Sequence, residues 1–394
     1  MTVQKSHMQI IEVNDKKTAK EFLLFPVTLY KNIQEWIRPL DKDIEVVFDK
    51  DKNKSFRHGK CIRWIFRDDS GKTIGRVAAF VNNKIVNKGN DQPTGGMGFF
   101  ECINDRKVAF ELFNTCKSWL QQLGIEAMDG PVNFGERDIW WGLLIDGYDR
   151  EPNYRCNYQL PYYKELFEAY GFQVYFKQLT FGLNVFDRFS DKIYEKARNI
   201  FADPNYHFEH LKKKNIDKYV QDFRTIYNKA WARHGVPQIS SLQAKTLMKQ
   251  ILPILDEKII WYGYYKDEPI AIYMNIPEIN QIFKYVDGKL DLVGKIKFLY
   301  HKWRKSCKKM LGLVYGIIPE FQGKGVDGAL IVATGKMVQE EYPRYPVLEM
   351  NWIGDFNPKM IRVAEQLESK VVKTHVTYRK LFDETKPFKR MKIL

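Results

Sequence analysis

The stretch Pro319-Glu320-Phe321-Gln322-Gly323-Lys324-Gly325-Val326-Asp327-Gly328 joins two apolar segments of different period. Residues 311–318, before it, are rich in β-forming side chains and short enough to be a buried strand. After it, apolar residues recur near the helical spacing, at Val326, Leu330, Ala333, Met337 and Val338. A strand, a glycine loop and a helix in this order predict an anion site. Small residues let the backbone approach an anion, and the free amides of a helix start point at it.

The spacing of the glycines limits the classes of phosphate-binding loop to which this stretch could belong. Gly325 is followed by Val326-Asp327 and not by Lys-Ser or Lys-Thr, which excludes the loop of nucleoside-triphosphate-binding proteins. The spacing G-x-G-x-x-G of the dinucleotide motif is present at residues 323–328. That motif opens a longer βαβ unit with an acidic residue beyond the next strand, and too little chain follows the loop for such a domain.

The loop resembles the coenzyme A pyrophosphate loop of the GNAT acyltransferase superfamily, (Gln/Arg)-x-x-Gly-x-(Gly/Ala). Gln322 and Gly325 match two of the three fixed positions, and Asp327 stands at the third, where its carboxylate places negative charge near a pyrophosphate unless it turns outward or caps the helix. The resemblance implies acetyl-CoA or another acyl-CoA as co-substrate. It also implies a coenzyme-binding set, which comprises Ile317, Ile318, Gln322, Gly323, Lys324, Gly325, Val326, Asp327, Gly328 and Asn357.

Both halves of the chain show the order of elements of a GNAT domain. In the second half we predict strands at 207–212, 259–265, 269–276, 311–318, 347–352 and 371–381, helices at 219–231, at 240–255 and from Pro358, and a basic helical insertion near 280–309. In the first half we predict a helix at 22–36, a hairpin at 61–80, a strand at 97–102 and a helix at 108–123. The resemblance implies an α/β fold with mixed sheets, in two tandem GNAT-like domains at residues 1–185 and 186–394.

The two halves differ where the coenzyme would bind. At the place of the glycine loop the first half has Phe99-Phe100-Glu101-Cys102-Ile103-Asn104-Asp105-Arg106-Lys107, which contains no glycine and two acids. Residues 160–168 match residues 357–365 in their proline, apolar and glutamate positions. We therefore expect the second half alone to bind the coenzyme, and the first half to be structural or to shape the substrate site.

The chemistry implied by the resemblance is direct attack of an amine on an acyl thioester, which needs a proton acceptor and a donor for the leaving thiolate. The usual donor is a Tyr seven residues after the Asn at 357, and this chain has Ala364 there. The open alternatives are Tyr315, Tyr378 or water as the donor, or a chain that does not catalyse transfer. Glu349 is the predicted base, with Glu320 as the second choice.

A loop at residues 130–149 concentrates Trp, Asn, Arg and carboxylates, the mixture expected of a binding loop. Asn133, Arg137, Trp140 and Trp141 are the predicted substrate-binding residues. The alternative is that the aromatic side chains pack the loop over the junction of the two domains.

Composition sets the remaining limits. The 394 residues carry a net charge of +15, which favours anionic partners, and the densest basic stretch is 294–309. The five cysteines are scattered without Cys-x-x-Cys spacing, so we expect reduced thiols and no metal. The sequence has no apolar run long enough to cross a bilayer, and residues 1–6 lack the apolar core of a signal peptide, which predicts a cytoplasmic protein.

Three functions remain open. The first is an acyl-CoA-dependent N-acyltransferase, most simply an acetyltransferase, acting on a small-molecule or peptide amine. The second is a tRNA-dependent aminoacyl transferase similar to those of the peptidoglycan bridge, which suits a basic protein, although no established nucleic-acid-binding motif is present. The third is a non-catalytic protein that binds acyl-CoA or holds a partner.

Overall fold

The computed structural model describes residues 8–231 and 238–393, which form one mixed sheet flanked by helices. The strands are β1 (Gln9–Glu12), β2 (Gly59–Arg67), β3 (Thr73–Asn82), β4 (Thr94–Cys102), β5 (Ala127–Gly130), β6 (Leu143–Asp146), β7 (Gln173–Asn184), β8 (Tyr206–His210), β9 (Ile260–Tyr265), β10 (Glu268–Pro277), β11 (Lys309–Ile317), β12 (Val347–Gly354) and β13 (Lys370–Leu381). The helices are α1 (Lys16–Leu29), α2 (Asp41–Phe48), α3 (Arg106–Gln122), α4 (Tyr162–Tyr170), α5 (Asp191–Ala202), α6 (Ile216–Ala230), α7 (Ser241–Ile251), α8 (Asn280–Phe283), α9 (Leu292–Trp303), α10 (Val326–Lys336) and α11 (Pro358–Gln366).

The sheet joins the two halves of the chain through exchanged strands. Its order is β1-β2-β3-β4-β5-β13-β7-β12-β11-β10-β9-β8, with β6 beside β13. The last strand, β13, therefore pairs with β5, β6 and β7 of the first half. In turn β7 pairs with β12 and β13 of the second half. Separating the halves would break both sets of ladder hydrogen bonds, and the predicted domain boundary near residue 185, which follows β7, remains a prediction.

The first helix begins earlier than the predicted range of 22–36. Asp15 and Thr18 form a capping box that starts α1 at Lys16, and the helix ends at Leu29 after accommodating Pro26 in its last turn. The other predicted strands and helices of both halves correspond to observed elements, with bounds that differ by a few residues. The predicted helical insertion contains α8 and α9.

Strands β11 and β12 diverge halfway along their length, and this divergence positions the candidate site. They pair in parallel from Lys309↔Val347 to Gly312↔Met350, and β11 then continues to Ile317 without β12. At the point of divergence the register between β10 and β11 shifts, so that Leu313 is paired with neither β10 nor β12. In the first half β4 and β5 likewise pair over only three residues, from Thr94↔Ala127 to Gly96↔Asp129.

Candidate functional site

A small cavity lies where β11 and β12 diverge. Its volume is about 90 Å³. The two strands and α11 contribute most of its lining, which includes Val314, Tyr315, Met350, Asn351, Met360, Val363, Ala364 and Leu367. Ala364, the residue at the expected Tyr position, is thus part of the wall, and its small side chain leaves this space open.

The hydroxyl of Tyr315 is buried beside this cavity and has no hydrogen-bond partner among residues 8–231 and 238–393. Burial raises the pKa of Tyr315 well above its usual value, and the nearby Asp327 carboxylate raises it further. The phenol is therefore protonated at neutral pH. A buried O–H without an acceptor costs free energy, which a ligand that accepts its proton would recover.

The matching space in the first half is filled by aromatic rings. Phe167, at the position that matches Ala364, is fully buried. Its ring centroid lies 5.2 Å from that of Phe100, 4.9 Å from that of Phe113 and 4.9 Å from that of Phe172. These rings belong to the main core of the first half. The expectation that the first half does not bind the coenzyme remains a prediction.

The glycine loop has the backbone of a tight turn before a helix. Gly323 and Gly325 have φ of +73° and +93°, which favours glycine, and Gly325 is the N-cap residue of α10. The side chain of Gln322 turns back and donates to the Ile317 carbonyl at 2.8 Å. The amide of Ile318 donates to the Ile270 carbonyl at 2.9 Å, so it is already bonded within the sheet. The implied coenzyme contacts of Ile317, Ile318 and Gln322 remain predictions.

Helix α5 packs against the start of α10 and gives the loop glycines a second role. A Cβ atom at Gly325 would lie 2.8 Å from the Lys196 carbonyl oxygen, and one at Gly328 would lie 2.9 Å from that of Ile193. Neither distance is tolerated between real atoms. The close approach of the two helices therefore requires glycine at both positions, whether or not a phosphate binds.

The charge of Asp327 is compensated by this packing. The Lys196 ammonium lies 2.9 Å from its carboxylate and 3.2 Å from the side-chain oxygen of Gln366, at the end of α11. The negative charge at the third loop position is thus paired. Lys324 lies over the ring of Phe321, at 5.3 Å from its centroid, while Val326 is buried in the core. The roles implied for Lys324, Val326 and Asp327 at the pyrophosphate are untested.

Asn357 is the N-cap residue of α11, and its side-chain oxygen accepts from the Met360 amide at 3.3 Å. Capping accounts for this asparagine locally, because it satisfies an amide of the first turn. Its implied coenzyme contact is a prediction beyond this role.

The predicted base Glu349 lies in a buried polar cluster. Its carboxylate is 3.2 Å from the Lys309 ammonium and 2.8 Å from that of Lys373, and it accepts from the Asn153 amide at 2.7 Å. Burial by itself would raise the pKa of Glu349, but the two lysines outweigh it and lower the pKa to about 2. Burial also lowers the pKa of Lys373. A carboxylate of this kind is a weak base, so the environment does not favour the predicted role.

Asn351 connects this cluster to the cavity. Its side chain borders the cavity and accepts from the Asn153 amide at 3.0 Å. Its own amide donates to the Cys156 sulfur at 3.2 Å. Asn153 and Cys156 lie in the segment between β6 and α4, so the first half supplies side chains to the site in the second half.

A second buried carboxyl, Glu278, follows β10 and was not among the predicted residues. One oxygen accepts from the amides of Tyr154 at 2.8 Å and Asn280 at 3.2 Å, and the other has no partner in the described part of the chain. Burial raises the pKa of Glu278. A single Glu after a strand gives no pattern that could have identified it.

The four predicted substrate-binding residues do not gather around the cavity. Trp140 borders a separate cavity of about 50 Å³ in the first half, beside the ion pair of Arg76 and Glu101. Asn133 is buried. Its side-chain oxygen and the indole nitrogens of Trp140 and Trp141 have no hydrogen-bond partner among the residues that the structure describes.

Arg137 is not among the residues that line the cavity beside Trp140. Its guanidinium is surrounded by four aromatic rings with centroids 4.8–5.9 Å away, namely Trp141, Phe176, Trp352 and Phe356. A substrate role for these four residues remains a prediction.

The two remaining candidates lie elsewhere. Tyr378 is paired with Gly130 and Val174 in the first half of the sheet, and its hydroxyl donates to Glu168 at 3.0 Å. Glu320 is exposed in the turn before the loop. Of the two predicted tyrosines, Tyr315 is therefore the one that borders the cavity.

In residues 8–231 and 238–393 there is no group of His, Cys, Asp and Glu side chains that could hold a metal ion. Within the described part of the chain, none of the helices combines the length and hydropathy needed to cross a lipid bilayer.

Comparison of the sequence with known proteins gives two relatives of similar length. Protein YghO of Escherichia coli (strain K12) is 22% identical over 375 residues, which cover 93% of each chain. The bacterial ceramide synthase of Caulobacter vibrioides (strain NA1000 / CB15N) is 23% identical over 381 residues, 95% of this chain and 97% of the relative. No protein-family model matches the sequence.

Solved structures resemble the fold. A tandem GNAT protein from the clavulanic acid biosynthesis pathway has a TM-score of 0.51 at 11% identity, covering 97% of this chain and 100% of that one. The GCN5-related glucosamine N-acetyltransferase region of a fungal multi-domain GH3 β-N-acetylglucosaminidase has a TM-score of 0.54 at 11% identity. The match covers 96% of this chain and 38% of that longer chain. The predicted tandem GNAT-like fold is confirmed.

Proposed function

We propose that this chain, which has a tandem GNAT-like fold, is an acyl-CoA-dependent N-acyltransferase with one donor site, between β11 and β12. The main support for this proposal is the cavity where these strands diverge, with the unpartnered hydroxyl of Tyr315 buried beside it. The contrast between the halves supports the choice, because Ala364 leaves space in the second half where Phe167 fills it in the first.

For the acceptor we propose the amine of a long-chain amino alcohol. The relative from Caulobacter vibrioides is named a ceramide synthase, and a ceramide is the N-acyl amide of such an amino alcohol. The polar side of the site supports an amine with hydroxyl groups nearby. Asn351 lines the cavity, where its amide group can hydrogen-bond a polar head, and Asn153 holds its side chain in place.

The transfer forms a carbon–nitrogen bond and breaks the carbon–sulfur bond of the thioester. The nitrogen loses a proton to a base, and the thiolate takes one from a donor. We assign the donor role to Tyr315, because its proton has no other acceptor. Glu278 accepts from the amide of Tyr154, the residue after Asn153. Of Glu278 and Glu349, Glu278 is better matched as a base, since burial raises its pKa while the two lysines lower that of Glu349 to about 2. Glu349 instead orients Asn153 and neutralises two lysines.

The test is a transfer assay with the full-length protein. Sphinganine is the acceptor, and acetyl-, lauroyl- and palmitoyl-CoA are the donors. Thiol release and the mass of the amide product are measured, which also gives the acyl length. We expect an N-acyl product with at least one donor. A protein that neither forms product nor gains thermal stability from coenzyme A would contradict the proposal, and transfer from aminoacyl-tRNA would replace it with the tRNA-dependent function.

A further inference from the structure

We propose that α9 docks this protein on the surface of an anionic lipid bilayer, with its apolar face in the headgroup region and flanking cations on lipid phosphates. This surface lies outside the cavity and the polar cluster described above. The inference does not depend on the proposed function, because it concerns binding to lipid and not the reaction.

Helix α9 presents a continuous apolar face to solvent. Six large apolar side chains of this single helix are 48–78% exposed, namely Leu292, Val293, Ile296, Leu299, Tyr300 and Trp303. At 100° per residue they fall within one arc of about 120°. Scattered exposed apolar residues are ordinary, but a contiguous set of this size marks an interaction surface.

The opposite face of α9 fixes the helix to the body of the protein. Phe298 packs against Phe283 with ring centroids 5.6 Å apart, and His301 stacks on Tyr285 at 3.8 Å. Asp291 caps the helix start by accepting from the Gly294 amide at 2.9 Å. The apolar arc is therefore held outward by a formed and anchored helix, and its exposure is not the result of a frayed segment.

Positive charge borders the apolar arc on both sides. On the helical wheel Lys295 and Lys302 lie on one flank and Lys297 and Arg304 on the other. Residues 289–308 contain seven Lys or Arg and one Asp. An apolar face with Trp and Tyr, bordered by cations, matches a helix that lies in the interface of an anionic membrane. A second copy of the chain is a poorer occupant, because paired arcs would bring like charges together.

A groove runs inward from the same surface. Its volume is about 640 Å³, and α9 lines it with Phe298, Leu299 and Trp303. Ile279 and Ile282 line the inner side, and Ile279 directly follows the buried Glu278. Leu299 and Trp303 therefore belong both to the apolar arc and to the groove, which extends from the proposed membrane surface to the segment that follows Glu278.

The test is flotation of the full-length protein with vesicles, without acyl-CoA. Vesicles of phosphatidylcholine alone are compared with vesicles containing about a third phosphatidylglycerol. We expect retention on the anionic vesicles and at least a tenfold loss for the double variant Leu299→Ser/Trp303→Ser. For Lys295→Gln/Lys297→Gln we expect a loss of roughly fivefold per lysine. The control is Leu242→Ser, which removes an exposed leucine from α7, outside the apolar arc.

Three outcomes would overturn the proposal. One is a wild-type protein that does not float with anionic vesicles. Another is a Leu299→Ser/Trp303→Ser variant that floats as well as the wild type. The third is a wild-type dimer in lipid-free size-exclusion chromatography that the same variant converts to monomer, which would assign the arc to a second copy of the chain. Circular dichroism verifies that the variants are folded.

Discussion

Ala364 and Phe167 stand at matched positions of the two halves and have opposite effects on the space beside them. Ala364 borders a cavity at the divergence of β11 and β12, whereas Phe167 is packed against Phe100, Phe113 and Phe172. The two halves thus have similar frameworks. The size of the side chain at this one helix position decides whether the space beside it is open or filled.

Filling the cavity should abolish coenzyme binding. In Ala364→Phe the ring would occupy the space between the strands, as Phe167 does in the first half. With coenzyme A at about 100 times its dissociation constant, the wild type should gain about 2.7 kcal/mol, and the variant should gain nothing. Differential scanning fluorimetry measures both. Glu365→Ala, on the exposed side of the same helix, is the control. A variant stabilised as much as the wild type would place the coenzyme elsewhere.

The hydroxyl of Tyr315 should affect activity and stability in different ways. Because the group is buried without a partner, Tyr315→Phe should leave the free energy of unfolding unchanged or raise it by about 1 kcal/mol. If the phenol protonates the leaving thiolate, turnover should fall about 10²-fold or more. Chemical denaturation and the transfer assay give the two values. Tyr378→Phe, which removes a hydroxyl bonded to Glu168, is the comparison; equal turnover in both variants would exclude Tyr315 as the donor.

Replacing Glu349 tests whether its charge serves the fold or the reaction. Glu349→Gln leaves Lys309 and Lys373 buried without their counter-charge, so we expect a loss of about 3–5 kcal/mol in unfolding free energy. The exposed Glu320→Gln should change it by less than about 0.5 kcal/mol. Urea titration measures the difference. A stable Glu349→Gln protein with strongly reduced turnover would restore the role of base to this residue.

The glycine loop and the two halves could be predicted because their signals are local. The loop lies between a strand and a helix that each have a clear apolar period. The match of residues 160–168 to residues 357–365 aligns Phe167 with Ala364. The buried cluster could not be predicted in the same way. Asn153 lies 196 positions from Glu349, and only the folded sheet brings them together.

Strand exchange also escapes prediction from pattern. The sequence pattern of β13 predicts a strand but does not say which strands lie beside it. In the structure β13 pairs with β5, β6 and β7 of the other half. Similarly, the basic stretch 294–309 predicts a helix, but its apolar arc becomes meaningful only once the packing of Phe298 and His301 fixes which face is exposed.

Acid should destabilise the protein in a range set by His375. Its imidazole is buried, with Nε2 3.0 Å from the Asn157 carbonyl, and burial together with Lys373 lowers the pKa of His375 from 6.5 to about 4. Between these values the unfolded chain binds a proton that the folded chain does not. Stability that is complete above pH 6.5 is therefore lost as the pH falls toward 4, by up to about 3 kcal/mol.

Urea unfolding at intervals from pH 4.5 to 7 measures this slope. Glu349 contributes below this range, because its pKa moves from 4.5 to about 2 and the stability it provides is lost only as the pH falls between those values. Comparison with His375→Gln isolates the histidine, since every other titrating group is shared. We expect the variant to be less stable at neutral pH but to lose less stability on acidification, and parallel curves for the two proteins would show that another group causes the acid sensitivity.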